Sequence, residues 1–356
     1  MKTVRLLTSI LLAAIFSMAI EVASEGFIPA ALPFAILMIA SLVPMPQGVL
    51  RMALQVEIWQ KDVVDNLYKD NQFAQWSVNA DQYVLMGKVV HIPVAGSPGT
   101  IKKNLTVFPQ TAAKRADTEI TYNIDTLYLL PRHVEDIEKY ENSYNKRQSM
   151  VGEDQAKLIQ DGMTNLLYRW APAVANTILT EGDDAPAAIS GGAGNRKKFT
   201  KKAFKDIKKK WDRADIPVQG RVCLLTADHY NDFLESLSDA ERTDVGRVAN
   251  LETGIVGKYL GITIMMRSTV LRYRGADNAV AVVDELAEDF AADGEDRAAS
   301  LFWQKDCVER ALGSVKMFDN PNQAEYFGDV YSMSLRFGGR QRRASGVYAV
   351  VEALGA

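Results

Sequence analysis

The chain has little of what catalysis and metal binding usually need. Its 356 residues include only two cysteines and three histidines. Cys223 and Cys307 both sit in apolar surroundings, where a cysteine is expected as a buried free thiol, and no cysteine framework suggests a disulfide. His91, His133 and His229 are isolated in sequence, with no second His, Cys or carboxylate at metal-ligand spacing. Neither a metal site nor a cofactor is therefore expected. The motifs GxxxxGK(S/T), GxSxG and HExxH are missing too. Nor is there an excess of one charge: 41 Lys and Arg stand against 44 Asp and Glu, a net charge of −3. That excludes a chain that holds nucleic acid by its overall charge. What remains is length, enough for a sizeable core and for two domains with extensions.

The long apolar runs lie in the first 51 residues. Lys2 and Arg5 precede a run from Leu6 to Ile20, and Glu21 and Glu25 follow it. A second run, Phe27 to Met45, is broken by Pro29, Pro33 and Pro44. The first has the length of a signal-peptide core, with Val22-Ala23-Ser24 as a passable cleavage site. The second is just long enough to cross a bilayer. With Arg51 behind it, the pair fits a transmembrane helix hairpin whose ends are both cytoplasmic. Two other readings stand beside this: a misplaced start ahead of Met52, and an apolar arm buried in an assembly. The expectation is a soluble fold beginning near Met52, with a membrane as partner only if the leader is retained.

Phe204 to Leu237 has the clearest pattern. Phe204, Ile207 and Trp211 recur at helical spacing, with lysines between them. Asp215-Ile216-Pro217 stops that helix, because the residue before proline avoids the α region. Gly220 permits a sharp turn. Val222-Cys223-Leu224-Leu225 is wholly apolar, the mark of a strand covered on both faces. Thr226 then caps a second helix striped by Tyr230, Phe233, Leu234 and Leu237.

Around this stretch the chain divides by pattern. Val56, Trp59, Val63, Val64 and Leu67 share a helical face, and Phe73 and Trp76 are apolar anchors in a polar setting; this is poor core and a good arm for docking on a neighbour. Val89 to Pro93 reads as a strand that its proline confines to an edge. Ala95 to Gly99 is a turn cluster, Lys103 to Ala116 is polar, and Glu119 to Asp125 alternates strictly. Connections this long are uncommon in compact domains unless they are functional. Tyr144 to Trp170 reads as a long helix, with Met150, Ile159, Met163, Leu166, Leu167 and Trp170 as a broken stripe. Glu181 to Asn195 has linker composition. Asp284 to Arg297 is acidic and reads as an exposed insertion.

The most basic part carries Arg196, Lys197, Lys198, Lys201, Lys202, Lys205, Lys208, Lys209 and Lys210. Two readings stand: contact with DNA phosphates, which needs charge and no base readout, or the solvated face of an amphipathic helix. No helix-turn-helix, zinc finger or RNP motif accompanies it.

In order along the chain, these segments resemble the major capsid proteins of tailed phages with the HK97-type fold. The resemblance runs from about Met52 to Glu352. It rests on the "IPxxGR" turn with Pro217, Gly220 and Arg221, and on the segment Gly254 to Ser268 with Gly254, Gly257 and Gly261 before a strand. Ala299 to Val308 and the glycine after an alternating run at Gly338, leading by a basic link to a last apolar strand at 346–351, complete it. Trp303-Gln304 replaces the family's usual His or small residue, so the likeness is to a pattern, not to a near relative. The resemblance implies an α+β HK97-type capsid fold: N-terminal arm 52–87, E-loop hairpin 88–125, peripheral domain 126–200 and 299–356 with a spine helix, and axial domain 201–298. It also implies a non-enzymatic subunit assembling as pentamers and hexamers into an icosahedral shell. Packaged double-stranded DNA, bound without sequence preference, and portal or scaffold proteins would be partners. The location would be the virion, after assembly in the host cytoplasm. The rivals are a membrane-anchored or secreted binding protein, resting on residues 1–51, and an enzyme of unknown class.

Overall fold

The structure is a computed structural model. It describes residues 63, 71–85, 89–94, 103–104, 118–135, 146–187, 189, 192, 194–250, 254–277 and 279–355. Every described residue belongs to one compact unit, Trp59–Ala356. The leader, the helical face at Val56, Trp59, Val64 and Leu67, and nearly all of 95–117 lie outside the described residues. Among the described residues no helix is long and apolar enough to cross a membrane.

The segment expected to dock on a neighbour is attached to its own chain from Phe73 onward. Phe73 and Ala74 are buried in the main core, and the Phe73 ring meets Trp170 edge-on at 6.4 Å. Trp303 Nε1 donates to the Trp76 carbonyl at 2.7 Å. A two-residue strand β1 (Val78–Asn79) then runs parallel to Glu309–Arg310.

Three strands follow, β2 (Val84–Leu85), β3 (Val89–Val94) and β4 (Thr118–Asn123), in the order β2-β3-β4. Taken as a whole, β3 is central and not an edge strand. The proline argument still holds locally: among the described residues β2 pairs with Val89 and Val90 and none pairs with the second side of the strand at Pro93. In β4 and after it, Ile120, Tyr122 and Ile124 are covered to some degree while Glu119, Thr121 and Asn123 are exposed, as the alternation predicts.

β5 (Thr126–Glu135) precedes the 25-residue helix α1 (Lys146–Trp170), about 37 Å long at the usual helical rise. Its buried stripe is Ile159, Met163, Leu166, Leu167 and Trp170, as expected. The linker region is not structureless. β6 (Thr177–Leu179) is followed by β7 (Asp184–Pro186), which pairs with β8 (Asn195–Lys197).

α2 (Lys201–Arg213) buries Ala203, Phe204, Ile207 and Trp211. β9 (Arg221–Thr226) is buried throughout, and the Thr226 hydroxyl accepts from the His229 amide at the start of α3 (Ala227–Ser236). α4 (Asp239–Gly246) opens with a capping box between Ser238 and Glu241. β10 (Ile255–Tyr259) and β11 (Ile262–Arg267) form a hairpin. β12 (Leu271–Arg274) and β13 (Ala281–Val282) lead through the acidic insertion to β14 (Asp296–Gln304). Asp296 and Arg297 are buried, so the insertion stops short of its expected end. β15 (Val308–Gln323), β16 (Gly328–Gln341) and β17 (Val347–Val351) complete the chain.

Two sheets organise these elements. One has the order β1-β15-β16-β5, with α1 against β16 and β5. The other is built on β14. β17 lies along one side of β14, while β9 and β12 share the other side end to end, at residues 301–304 and 296–299 respectively. Two expectations bear on this. Residues 299–304 and 347–351, assigned to the peripheral part, belong to the sheet of β9. Residues 331–351 are not a hairpin: β16 and β17 lie in different sheets. The physical reason is shared. Val222–Leu225, Leu301–Trp303 and Val347–Val351 are apolar on both faces, so they satisfy one another in one covered sheet.

Candidate assembly surfaces

The turn between α2 and β9 is locked by Arg221. Its side chain is 1% exposed. Nε donates to the Pro217 carbonyl at 3.1 Å, Nη2 to the Ile216 carbonyl at 2.6 Å and Nη1 to Asp212 Oδ1 at 2.8 Å. The guanidinium also stacks over Trp211, 5.3 Å from its centroid. Asp215 at φ 52° and Gly220 at φ 79° supply the two left-handed positions of the turn. The Lys305 amide donates to the Gly220 carbonyl, tying the turn to the end of β14. One arginine thus satisfies three acceptors that the turn leaves open. Pro217 itself is exposed.

The remaining glycines divide by role. Gly254 precedes β10 and Gly261 sits in the β10–β11 turn. Gly257 presses on α4: a Cβ there would lie 2.8 Å from the Val245 carbonyl oxygen. Gly338 is not a turn residue but lies within β16, and its neighbour Gly339 is the tighter site, with a Cβ 2.2 Å from the Glu309 carbonyl oxygen.

Six of the nine basic residues at 196–210 are already paired. Arg196 is buried and meets Asp232 at 2.5 Å and Glu352 at 3.3 Å. Lys197 pairs with Asp184, Lys198 with Glu235, Lys201 with Glu241, Lys202 with Glu181 and Lys208 with Asp212. Lys201, with the Ser238 amide and hydroxyl, holds the Glu241 carboxyl down at about 2. Lys210 lies over the Tyr348 ring at 5.2 Å. Lys205 and Lys209 are exposed and make no ion pair among the described residues.

Two further surfaces suit association. The β2-β3-β4 sheet is joined to the rest through a small satellite cluster of Ala80, Val90, Ile124 and Ala311. Arg340 covers the Tyr122 ring at 5.3 Å, and burial pushes the Tyr122 phenol up. The second surface is the face of the β1-β15-β16-β5 sheet opposite α1. Tyr128 is 72% and Leu130 78% exposed on the edge strand β5, and Phe318 is exposed on β15; Phe327, between β15 and β16, is 81% exposed. Leu127-Tyr128-Leu129-Leu130 is apolar at every position, so period alone does not say which side faces water.

A serine, a histidine and a glutamate also meet. Ser300 Oγ lies 2.7 Å from His229 Nδ1, and His229 Nε2 lies 3.3 Å from Glu352 Oε1. All three are at most 2% exposed, and the imidazole is stacked on Phe199 at 5.2 Å. No substrate reaches a serine sealed in this way, so the trio serves as a buried polar joint between α3, β14 and the end of β17. Both cysteines are buried, free and pushed upward by burial, away from thiolate chemistry. Among the described residues no group of acidic, His or Cys side chains is arranged to hold a metal ion.

No family model and no curated protein matches the chain. Solved structures do. The chain is similar to one named "Mycobacterium phage Che8", with 18% identity, TM-score 0.50, and coverage of 78% of this chain and 90% of that one. The capsid structure of the cyanophage P-SCSP1u gives 17% identity, TM-score 0.52 and coverage of 79% and 87%. The capsid of Ralstonia phage GP4 gives 10% identity, TM-score 0.53 and coverage of 79% and 88%. At such identities the likeness is one of fold: the chain has the α+β HK97-type capsid fold.

Proposed function

We propose that the chain is a major capsid protein, a structural subunit and not an enzyme, which assembles as pentamers and hexamers into an icosahedral shell enclosing double-stranded DNA. The observation that carries this is the shared fold over more than three quarters of the chain with subunits of phage capsids. The exposed apolar face at Tyr128, Leu130 and Phe318 supports it, since apolar residues grouped on a sheet face call for a covering partner. On this reading the subunit resides in the virion after assembly in the host cytoplasm, with portal and scaffold proteins as further partners. The basic segment at 196–210 contributes little to holding DNA, because six of its nine cations are spent on carboxylates of the same chain. The membrane-anchored alternative rests on residues outside the described ones, and nothing in the described residues favours it. Negative-stain microscopy and sedimentation of the purified chain test the proposal. Shells or capsomers are expected; a monomer that persists at high concentration across salt and pH would refute it.

A further inference from the structure

The cations left over on α2 are not scattered. Lys205, Lys209 and Arg213 recur at i, i+4 and i+8, a single row on one helix face. All three are exposed, and none makes an ion pair or hydrogen bond through its side chain among the described residues. The row borders a surface depression of about 510 Å³, whose lining also includes Lys208, Asp212 and the apolar side chain of Leu260. Val218, beside Gly261, is exposed next to it. Bare phosphate does not call for Leu260 and Val218, whereas a protein segment that is both acidic and partly apolar matches cations and side chains together.

The same chain carries such a segment. Between β13 and β14, Glu288, Asp289 and Glu295 are exposed, and their carboxylates make no ion pair or hydrogen bond among the described residues. Leu286 and Phe290 lie half-buried among them. Of the neighbouring acids, Glu285 holds Arg272, Asp296 holds Arg272 and Arg274, and Asp284 and Asp293 accept from the backbone amides of Leu286 and Glu295. The segment therefore offers unpaired carboxylates where the α2 row offers unpaired cations.

The two sets do not meet within one subunit. β11 begins opposite Val222, whose partner on β14 is Trp303, so the Leu260 turn lies at the Gln304 end of β14. The acidic segment enters β14 at Asp296, the other end. Nine extended residues separate those ends by about 30 Å, well beyond the screening length of about 8 Å at physiological salt. Complementary patches at different places on one subunit make a head-to-tail contact, which closes into a ring when the rotation allows.

We infer that the row Lys205, Lys209 and Arg213 of one copy receives the acidic segment with Glu288, Asp289 and Glu295 of the next copy around a capsomer. This rests on the capsid reading and adds the contact that sets the order of subunits in the ring. The test is charge reversal in the full chain, read by sedimentation and microscopy. Lys205→Glu with Lys209→Glu and Arg213→Glu should raise the concentration needed for assembly at least about tenfold, as like charges then face each other. Glu288→Lys with Asp289→Lys and Glu295→Lys should do the same, and the two sets combined should restore assembly. Thermal melting checks that each variant folds; should a reversed set fail to fold, the neutral set Lys205→Gln, Lys209→Gln and Arg213→Gln decides, with weaker assembly expected. Reversed or neutral sets that assemble like the unmodified chain overturn the inference alone, as do shells of normal yield that have merely lost DNA, the mark of a phosphate-facing row. Failure of the unmodified chain to assemble removes the capsid reading and the inference with it.

Discussion

At the scale of single residues, buried hydrogen-bond geometry decides more than charge. Arg221 is the clearest case, since two backbone carbonyls of the turn depend on its fork. Arg221→Met keeps the apolar bulk and leaves the buried Ile216 carbonyl without its partner, for an expected loss of about 3 kcal/mol. Arg221→Lys cannot reproduce the fork and should lose about 2 kcal/mol. Urea denaturation of the unassembled subunit reads both, and unshifted midpoints would show that the turn holds without it. Glu241 behaves differently because it is at the surface. Its folded value of about 2 lies below the ordinary 4.5, so its contribution is present above 4.5 and is lost as the pH falls toward 2. Glu241→Gln should therefore lower the unfolding midpoint at about pH 6, with the gap from the unmodified chain closing between pH 4.5 and 2. A gap that does not change with pH would mean that Lys201 and Ser238 do not hold the carboxylate in solution. The arginine in "IPxxGR" was visible in the sequence, but its three acceptors were not, because they come together only once the turn has closed.

At the scale of elements, the segments whose neighbours in sequence are also their neighbours in space were legible. α2, the turn, β9 and α3 follow from periodicity, the pre-proline stop and the Thr226 cap, and the structure has all four. The long helix and the β3–β4 pair were legible for the same reason. Partners distant in sequence were not. Gly338 and Gly339 read as a turn because glycine pairs usually end strands, yet here they let β16 continue past the Glu309 carbonyl. β3 and β4 pair from Val89 with Asn123 to Val94 with Thr118, and among the described residues a small satellite cluster and the Arg340–Tyr122 contact join their sheet to the rest. Removing 96–115 should therefore leave the melting transition of the subunit within about 3 °C while abolishing shells. Scanning calorimetry and electron microscopy of that variant check both halves. Loss of the folded state would place the hairpin in the core, and normal shells would deny it any part in assembly.

At the scale of the whole molecule, the two sheets share one hydrophobic core. Trp170 of α1 packs against Trp303 of β14 at 5.6 Å, and the same buried cluster reaches from Met333 and Phe337 to Leu224 and Val350. Only Lys305–Cys307 separates β14 in one sheet from β15 in the other. The unassembled subunit should therefore unfold in a single transition, with calorimetric and van't Hoff enthalpies agreeing. Two resolved transitions would show the peripheral and axial parts to be independent. The expected boundary at residue 299 falls within β14, which pairs with β9. The sequence by itself determined which segments are helix or strand, which faces are apolar, and the order of segments that resembles a capsid subunit, because periodicity, capping and turn chemistry act within a few residues. Only the tertiary structure decided that β14 and β17 join β9, that Arg196 is spent on Asp232 and Glu352, and that Phe73 anchors to its own chain. Each of those outcomes depends on which partner is nearest in space, and a buried strand or charge takes the partner that covers it, however far away in the chain that partner lies.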